Sequence, residues 1–307
     1  MVGRDVNKKG RPEVAELGGI ASVFAFSISL SLVVGFKSLG YQPTGWEMVY
    51  LAPIGVFFIA SMVGLIDDIS NIRQRVKAAA LLFAALPLLI VHFPLPVVRF
   101  PFGFFINFED PYVLYIFYWL VLVPIGVTGM ANAMNMSAGY NGLESGQVMV
   151  ISIGILFVGM LRGSDEAALV IFTAIAGCSL GLFYFNRFPA KVFVGDIGTL
   201  GLGAAMAAGV IIGHIEFYAI IAIAPAFYEL FATVYFGMLK RAPDRRAACH
   251  NPVINEDGSL SPPEGAKWYT LAYLLLSKKP MTESKLVAVI LALYGLSSLA
   301  ALGLSVI

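Results

Sequence analysis

The stretch "WEMVYLAPIGVFFIASMVGLIDDISNIRQRVK", residues 46–77, decides the fold. Residues 46–66 stay apolar for about the 20 residues that carry a helix across a bilayer. The run stops at Asp67 and Asp68, and Arg73, Arg75 and Lys77 follow at once. A helix leaving the hydrocarbon core onto a charged face reads this way. The whole chain agrees, with 59% hydrophobic and only 13% charged residues and a mean hydropathy of +0.83, whereas soluble domains carry roughly 25% charge. The fold class is all-α, a polytopic helix bundle in the membrane.

Outward from that stretch, apolar runs mark about nine spans at 17–36, 46–66, 77–93, 112–134, 147–161, 167–185, 198–213, 215–239 and 283–306. One long polar segment, residues 240–282, is too charged and Pro-rich to cross. Within it "WYTLAYLLL", 268–276, is too short to span and reads as an interfacial helix. A single membrane domain, 1–307, is the simplest division. The first sixteen residues are polar, so no cleavable signal peptide is expected. Cys178 and Cys249 show no ligand-like spacing and promise neither a disulfide framework nor a zinc site.

Span parity then sorts the charges. Of the 20 Lys and Arg, only Lys37, Arg99 and Arg162 fall opposite the N-terminus, and the positive-inside rule makes the N-terminal side cytoplasmic. The polar motifs "DDISNIRQRVK", "NMSAGYNGLESGQ" and "NRFPAKVFVGD" share that side. Taken singly, each has a plain reading. Asp67 and Asp68 at a helix C-terminus want a cation, which Arg73, Arg75 or Lys77 could supply on the surface; Asn135 could cap a turn; Asp196 could cap a helix. Together, Asp67, Asp68, Asn135 and Asp196 with Lys77 and Lys191 are the material for Mg²⁺ and a diphosphate, because magnesium takes one or two protein oxygens plus phosphate oxygens and lysines neutralise the rest. The pattern points to phosphoryl transfer, with no nucleic-acid partner expected.

The set "DVNK" (5–8), "GLIDDISNIRQRVK", "NMSAGYNGLESGQ", "PAKVFVGD" and "LAYLLLSKKPMTESKL" (271–286) resembles the polyprenyl-phosphate N-acetylhexosamine-1-phosphate transferases, and within them the dolichyl-phosphate GlcNAc-1-phosphate branch of archaea and eukaryotes. The resemblance implies transfer of GlcNAc-1-phosphate from UDP-GlcNAc to a polyprenyl or dolichyl phosphate, the first step of lipid-linked oligosaccharide assembly. By matching position it implies Asn135 and Asp196 for Mg²⁺ (Mn²⁺ as the alternative), Asp67 and Asp68 for the lipid phosphate, Lys77 for phosphate, and Phe193 and Asn141 for uracil. Glu16 matches an acidic residue near substrate, and His250 a sugar-recognition motif whose spacing differs in "RRAACHNPVIN", 245–255. Family members carry ten helices, one of them ahead of the "DVNK" loop, against nine here. A homodimer is compatible with the family. The resemblance favours an archaeal plasma membrane, with the endoplasmic reticulum as the alternative, and an active site facing the cytoplasm. A related enzyme using UDP-MurNAc-pentapeptide lacks support from a His-rich loop motif. A secondary transporter would place its polar groups near mid-membrane rather than at span ends.

Overall fold

Glycine and alanine make up much of "GDIGTLGLGAAMAAGVIIG", and this helix forms the axis of the bundle. The computed structural model describes residues 1–40, 45–91, 95–240, 242, 248–249 and 251–307. The helices are α1 Gly19–Lys37, α2 Met48–Ser70, α3 Gln74–Leu82, α4 Leu86–Val91, α5 Tyr112–Met136, α6 Leu143–Arg162, α7 Glu166–Asn186, α8 Gly195–Gly213, α9 Glu216–Ala222, α10 Ala224–Ala232, α11 Leu271–Lys278 and α12 Glu283–Ser305. Residues buried inside the protein make up 89% of the apolar window of α8, against 22–56% in the other long helices. Lipid therefore reaches α8 least.

Small residues let backbones approach, and in a membrane van der Waals packing holds helices together where hydrophobicity does not distinguish neighbour from lipid. A Cβ on Gly201 would overlap Phe57 and Ser61 of α2, and one on Gly203 would lie 2.8 Å from Ala131 Cα of α5. α2 and α5 are thereby seated directly on the axis, with α1 and α7 packed alongside. Local signals set the ends: Asp165 accepts from Ala167 N at 2.8 Å to start α7, and Thr270 accepts from Tyr273 N at 3.1 Å to start α11.

Among the described residues seven helices are long and apolar enough to cross a membrane, and eight when the α9–α10 pair is taken as one span bent by 70°. Pro225 sits in the first turn after that bend, where its missing N–H costs least. The expected span 77–93 is helical in pieces, with a 3₁₀ turn at Phe83–Ala85 between α3 and α4, and residues 92–94 lie outside the described set. The stretch expected as an interfacial helix is helical as α11, which begins three residues later than "WYTLAYLLL".

Three two-stranded antiparallel ribbons sit at the bundle ends: β1 Val2–Arg4 with β2 Glu13–Ala15, β3 Val97–Arg99 with β4 Phe105–Asn107, and β5 Val253–Ile254 with β6 Leu260–Ser261. One end gathers the first ribbon, the loops 71–73, 137–142 and 187–194, and the third ribbon. Lys9 Nζ reaches Glu256 O at 2.9 Å there, joining the N-terminal segment to the long loop. The other end gathers Lys37 with Glu166 at 2.6 Å and Arg162 beside Ser305. The polar motifs thus lie on one face, as span parity requires.

Candidate active site

α2 continues through Asp67 and Asp68 to Ser70 and ends at Asn71, whose left-handed backbone (φ 51°) lets its N–H return to Asp67 O at 2.7 Å. The chain turns back into α3 and delivers Lys77 to the same place. Lys77 is 2% exposed, and its ammonium meets three oxygens: Asp67 Oδ2 at 2.8 Å, Asn135 Oδ1 at 3.2 Å and Asp196 Oδ2. An ammonium has three N–H donors, and a buried one must use them. Asn135 in turn donates to Asp196 Oδ1 at 2.7 Å and to Thr199 Oγ1 at 2.9 Å. Four expected residues from α2, α3, α5 and α8 form one cluster. Arg73 and Arg75 remain exposed and form no ion pair among the described residues, so surface pairing does not account for Asp67. Lys191, also exposed, stands outside the cluster.

Asp68 is occupied differently. Its Oδ1 accepts from Asp196 N at 2.9 Å and its Oδ2 from Ile197 N at 3.0 Å, so a side chain of α2 caps the N-terminus of α8. Gly195, with φ +74°, lies against that carboxylate, where a Cβ would come within 2.9 Å of Oδ2. Asp196 therefore owes its orientation to Asp68. Replacing Asp68 by alanine removes the acceptor for two helix-terminal N–H groups and is expected to cost about 1–2 kcal/mol, the scale of a lost cap. Asp68→Asn, keeping one oxygen, should fall between alanine and wild type. Thermal melts of the three purified proteins in one detergent check the order, and equal melting of Asp68→Ala and wild type would remove the capping role.

Beside the cluster lies a cavity of about 230 Å³. Glu16, Asp68, Asn141 and Phe193 all line it. Phe193 is placed by backbone pairing, its N–H donating to Ala15 O at 2.8 Å and its carbonyl accepting from Gly18 N at 2.9 Å. Asn186, buried at the end of α7, joins the walls by accepting from Gly142 N at 3.1 Å and donating to Val192 O at 3.0 Å. Tyr140 and Glu144 also line the cavity, and each carries a buried oxygen, Tyr140 Oη and Glu144 Oε2, without a hydrogen-bond partner among the described residues. Burial pushes the Tyr140 phenol well above its usual range, so it stays a neutral O–H donor. Uncommitted buried polar atoms in a cavity wall are what a polar ligand satisfies.

Several site residues carried no assigned role in the sequence. Asp5 accepts from Asn141 Nδ2 at 2.9 Å, and Glu283 Oε1 from Asn141 N at 2.8 Å and Asn7 Nδ2 at 3.1 Å. The "DVNK" motif flags Asp5 and Asn7. Glu283 falls in the motif "LAYLLLSKKPMTESKL", but nothing there singles it out or points to Asn141, 142 residues away. His250 lies outside the described residues, so its place relative to the cavity is not part of this geometry.

No group of three or more His, Cys, Asp or Glu side chains among the described residues converges as a complete metal site. Yet two carboxylates and an amide oxygen converge on one cation, Lys77 Nζ, and the buried Asp67 Oδ1 meets no donor within hydrogen-bond distance among the described residues. All are hard oxygen donors, too few for a closed cage and suited to an ion that completes its shell with phosphate and water. The residues fit magnesium shared with a substrate.

Residues 50–214, which hold all four helices of the cluster, match the model of glycosyl transferase family 4. The chain belongs to that family. Among glycosyltransferase relatives, it is 34% identical over 210 residues to a Saccharolobus solfataricus protein named "Putative UDP-N-acetylglucosamine--dolichyl-phosphate N-acetylglucosaminephosphotransferase", covering 68% of this chain and 61% of that protein. A Dictyostelium discoideum UDP-N-acetylglucosamine--dolichyl-phosphate N-acetylglucosaminephosphotransferase is 25% identical over 340 residues, 99% of this chain and 81% of its own. A phospho-N-acetylmuramoyl-pentapeptide-transferase of Clostridium botulinum is 29% identical, covering 67% of this chain and 63% of its own. Against the archaeal relative the chain spans about three fifths of the partner's length. The relatives thus carry the names of two kinds of transferase, and the run of long apolar helices makes this family member an integral membrane protein.

Proposed function

We propose that this glycosyl transferase family 4 protein transfers GlcNAc-1-phosphate from UDP-GlcNAc to a polyprenyl or dolichyl phosphate, yielding polyprenyl-diphosphate-GlcNAc and UMP. The observation that carries the reading is the Asp67–Lys77–Asn135–Asp196 cluster, built around the buried Lys77 ammonium, beside a cavity with uncommitted polar atoms. The names of the archaeal and Dictyostelium relatives support the substrates. An oxygen of the lipid phosphate attacks the β-phosphorus of UDP-GlcNAc, the bond from that phosphorus to the bridging oxygen breaks, and UMP leaves with the bridging oxygen and its negative charge. Asn135 and Asp196 would hold Mg²⁺, or Mn²⁺, which supplies positive charge to the diphosphate when bound.

The remaining work belongs to side chains. Lys77 now spends its three donors on protein oxygens, so it binds a phosphate by exchanging one of those partners for it. Asp67, at the end of α2 where a lipid headgroup arrives laterally, orients the attacking phosphate. A phosphate monoester is already largely anionic at pH 7, so positioning outweighs proton removal. Asp68 supports Asp196 by its cap. Phe193 offers a face to uracil, Asn141 its amide, and Glu16 a further substrate contact, while the family resemblance alone assigns His250 to the sugar. The cytoplasmic face of an archaeal plasma membrane is the setting that the charge asymmetry and the archaeal relatives support.

UDP-MurNAc-pentapeptide is the competing donor, on the strength of the bacterial relative. Purified protein in detergent, given dolichyl phosphate, Mg²⁺ and a panel of UDP-sugars, should release UMP and form lipid-linked product with UDP-GlcNAc best. Preference for UDP-MurNAc-pentapeptide would reassign the substrate, and no UMP from any donor would overturn the reaction.

A further inference from the structure

The turn that carries Asn141 has little structure of its own. Gly139 and Gly142 both lie at positive φ, 117° and 88°, and the segment between α5 and α6 belongs to no ribbon. It is held from outside. Glu283 Oε1 accepts the main-chain N–H of Asn141 at 2.8 Å and the side-chain amide of Asn7 at 3.1 Å, while Asn7 also donates to Gly139 O at 2.7 Å. Asp5, paired with Lys8, accepts the Asn141 side-chain amide at 2.9 Å. Both the backbone and the side chain of Asn141 are therefore fastened by carboxylates remote in sequence.

Glu283 occupies the first turn of α12, where a carboxylate gains from the helix dipole even when exposed. It is instead 4% exposed, and burying a carboxylate is costly unless its bonds repay it. No residue of α12 lines the cavity. We propose that Glu283 is a positioning residue: through its bonds to Asn141 and Asn7, the last span sets the wall of the nucleotide-sugar cavity without touching the ligand. This rests on the reading of that cavity as the UDP-GlcNAc site. It makes the start of α12 part of substrate recognition, although the family match ends at residue 214.

The test uses the full chain in detergent with Glu283→Ala and Glu283→Gln. Glutamine keeps an amide oxygen that can accept both bonds. Glu283→Ala should raise KM for UDP-GlcNAc about 10-fold, the scale of losing a buried hydrogen-bond acceptor, with KM for dolichyl phosphate unchanged. Glu283→Gln should stay within about 3-fold of wild type by the same reasoning. Equal rises in both KM values, or glutamine as damaging as alanine, would mean a general structural role and overturn the proposal. Hydrogen exchange at the Asn141 amide, measured without substrate, gives a second readout: protection lost in Glu283→Ala and retained in Glu283→Gln. Unchanged protection in the alanine variant overturns the proposal whatever the substrate, while absent UMP release by wild type with normal exchange changes would fault only the functional reading. If Glu283→Ala does not fold, Glu283→Asp, one methylene short of Asn141, carries the same comparison.

Discussion

Asp67→Asn protein is expected to bind UDP-GlcNAc within a few-fold of wild type while its UMP release falls by roughly 10²-fold or more, the scale of losing a catalytic carboxylate. The substitution is isosteric, and Lys77 keeps Asp196 and Asn135 as partners, so the buried ammonium is not abandoned. What disappears is the negative charge at the end of α2, where the proposed reaction brings the lipid phosphate. A 10²-fold loss corresponds to about 2.7 kcal/mol of barrier. If Asp67 served only as a salt-bridge partner, neutralising it would shift stability by about 0–1 kcal/mol and turnover little. Binding by calorimetry and steady-state turnover on one preparation separate the two, and near wild-type turnover would eliminate a role for Asp67 in the reaction.

Asp196→Ala and Asn135→Ala are each expected to abolish Mg²⁺-dependent turnover without unfolding the protein. Asp196 is the hub of the cluster, receiving Lys77 and Asn135 on its two oxygens. Its loss leaves Lys77 with Asp67 and Asn135, so the fold is retained while the pair proposed to hold the metal is broken. Asn135→Ala removes the oxygen facing Lys77 and the amide that orients Asp196. Titrating Mg²⁺ against UMP release checks both, and full activity of well-folded Asn135→Ala would take it out of the metal site. The contrast with Asp68 is informative. A residue adjacent in sequence to Asp67 has both oxygens committed to backbone N–H groups, so its substitution should register first in melting and only through Asp196 in turnover.

The bundle and the sidedness of its motifs were legible because hydropathy and charge are local properties. Each span declares itself by its own run of apolar residues, and the gathering of Lys and Arg on alternate loops follows from counting. Breaks within spans were less legible. The 70° bend between α9 and α10 lies in a continuous apolar run with Pro225 as its one signal, and the 3₁₀ turn inside the third helical stretch is signalled by Pro87 alone, whose missing N–H leaves Phe83 O without its usual donor.

The sequence by itself determined that this protein lives in a membrane and that its polar motifs share one face, and its motifs brought Asp67, Lys77, Asn135 and Asp196 under one hypothesis. Only the tertiary structure decided how the acids divide their work. Helical hydrogen bonds form within a few residues and are written in short stretches, whereas a carboxylate's partner depends on how far neighbouring helices approach and rotate. Glycines permit the approach: a Cβ on Gly64 would overlap the Asp196 carbonyl, and without that close seat α2 could not bring one aspartate to Lys77 and the next to the N-terminus of α8. The same physics hid Glu283, whose partners lie in a turn and an N-terminal segment that reach it only when the last span packs home.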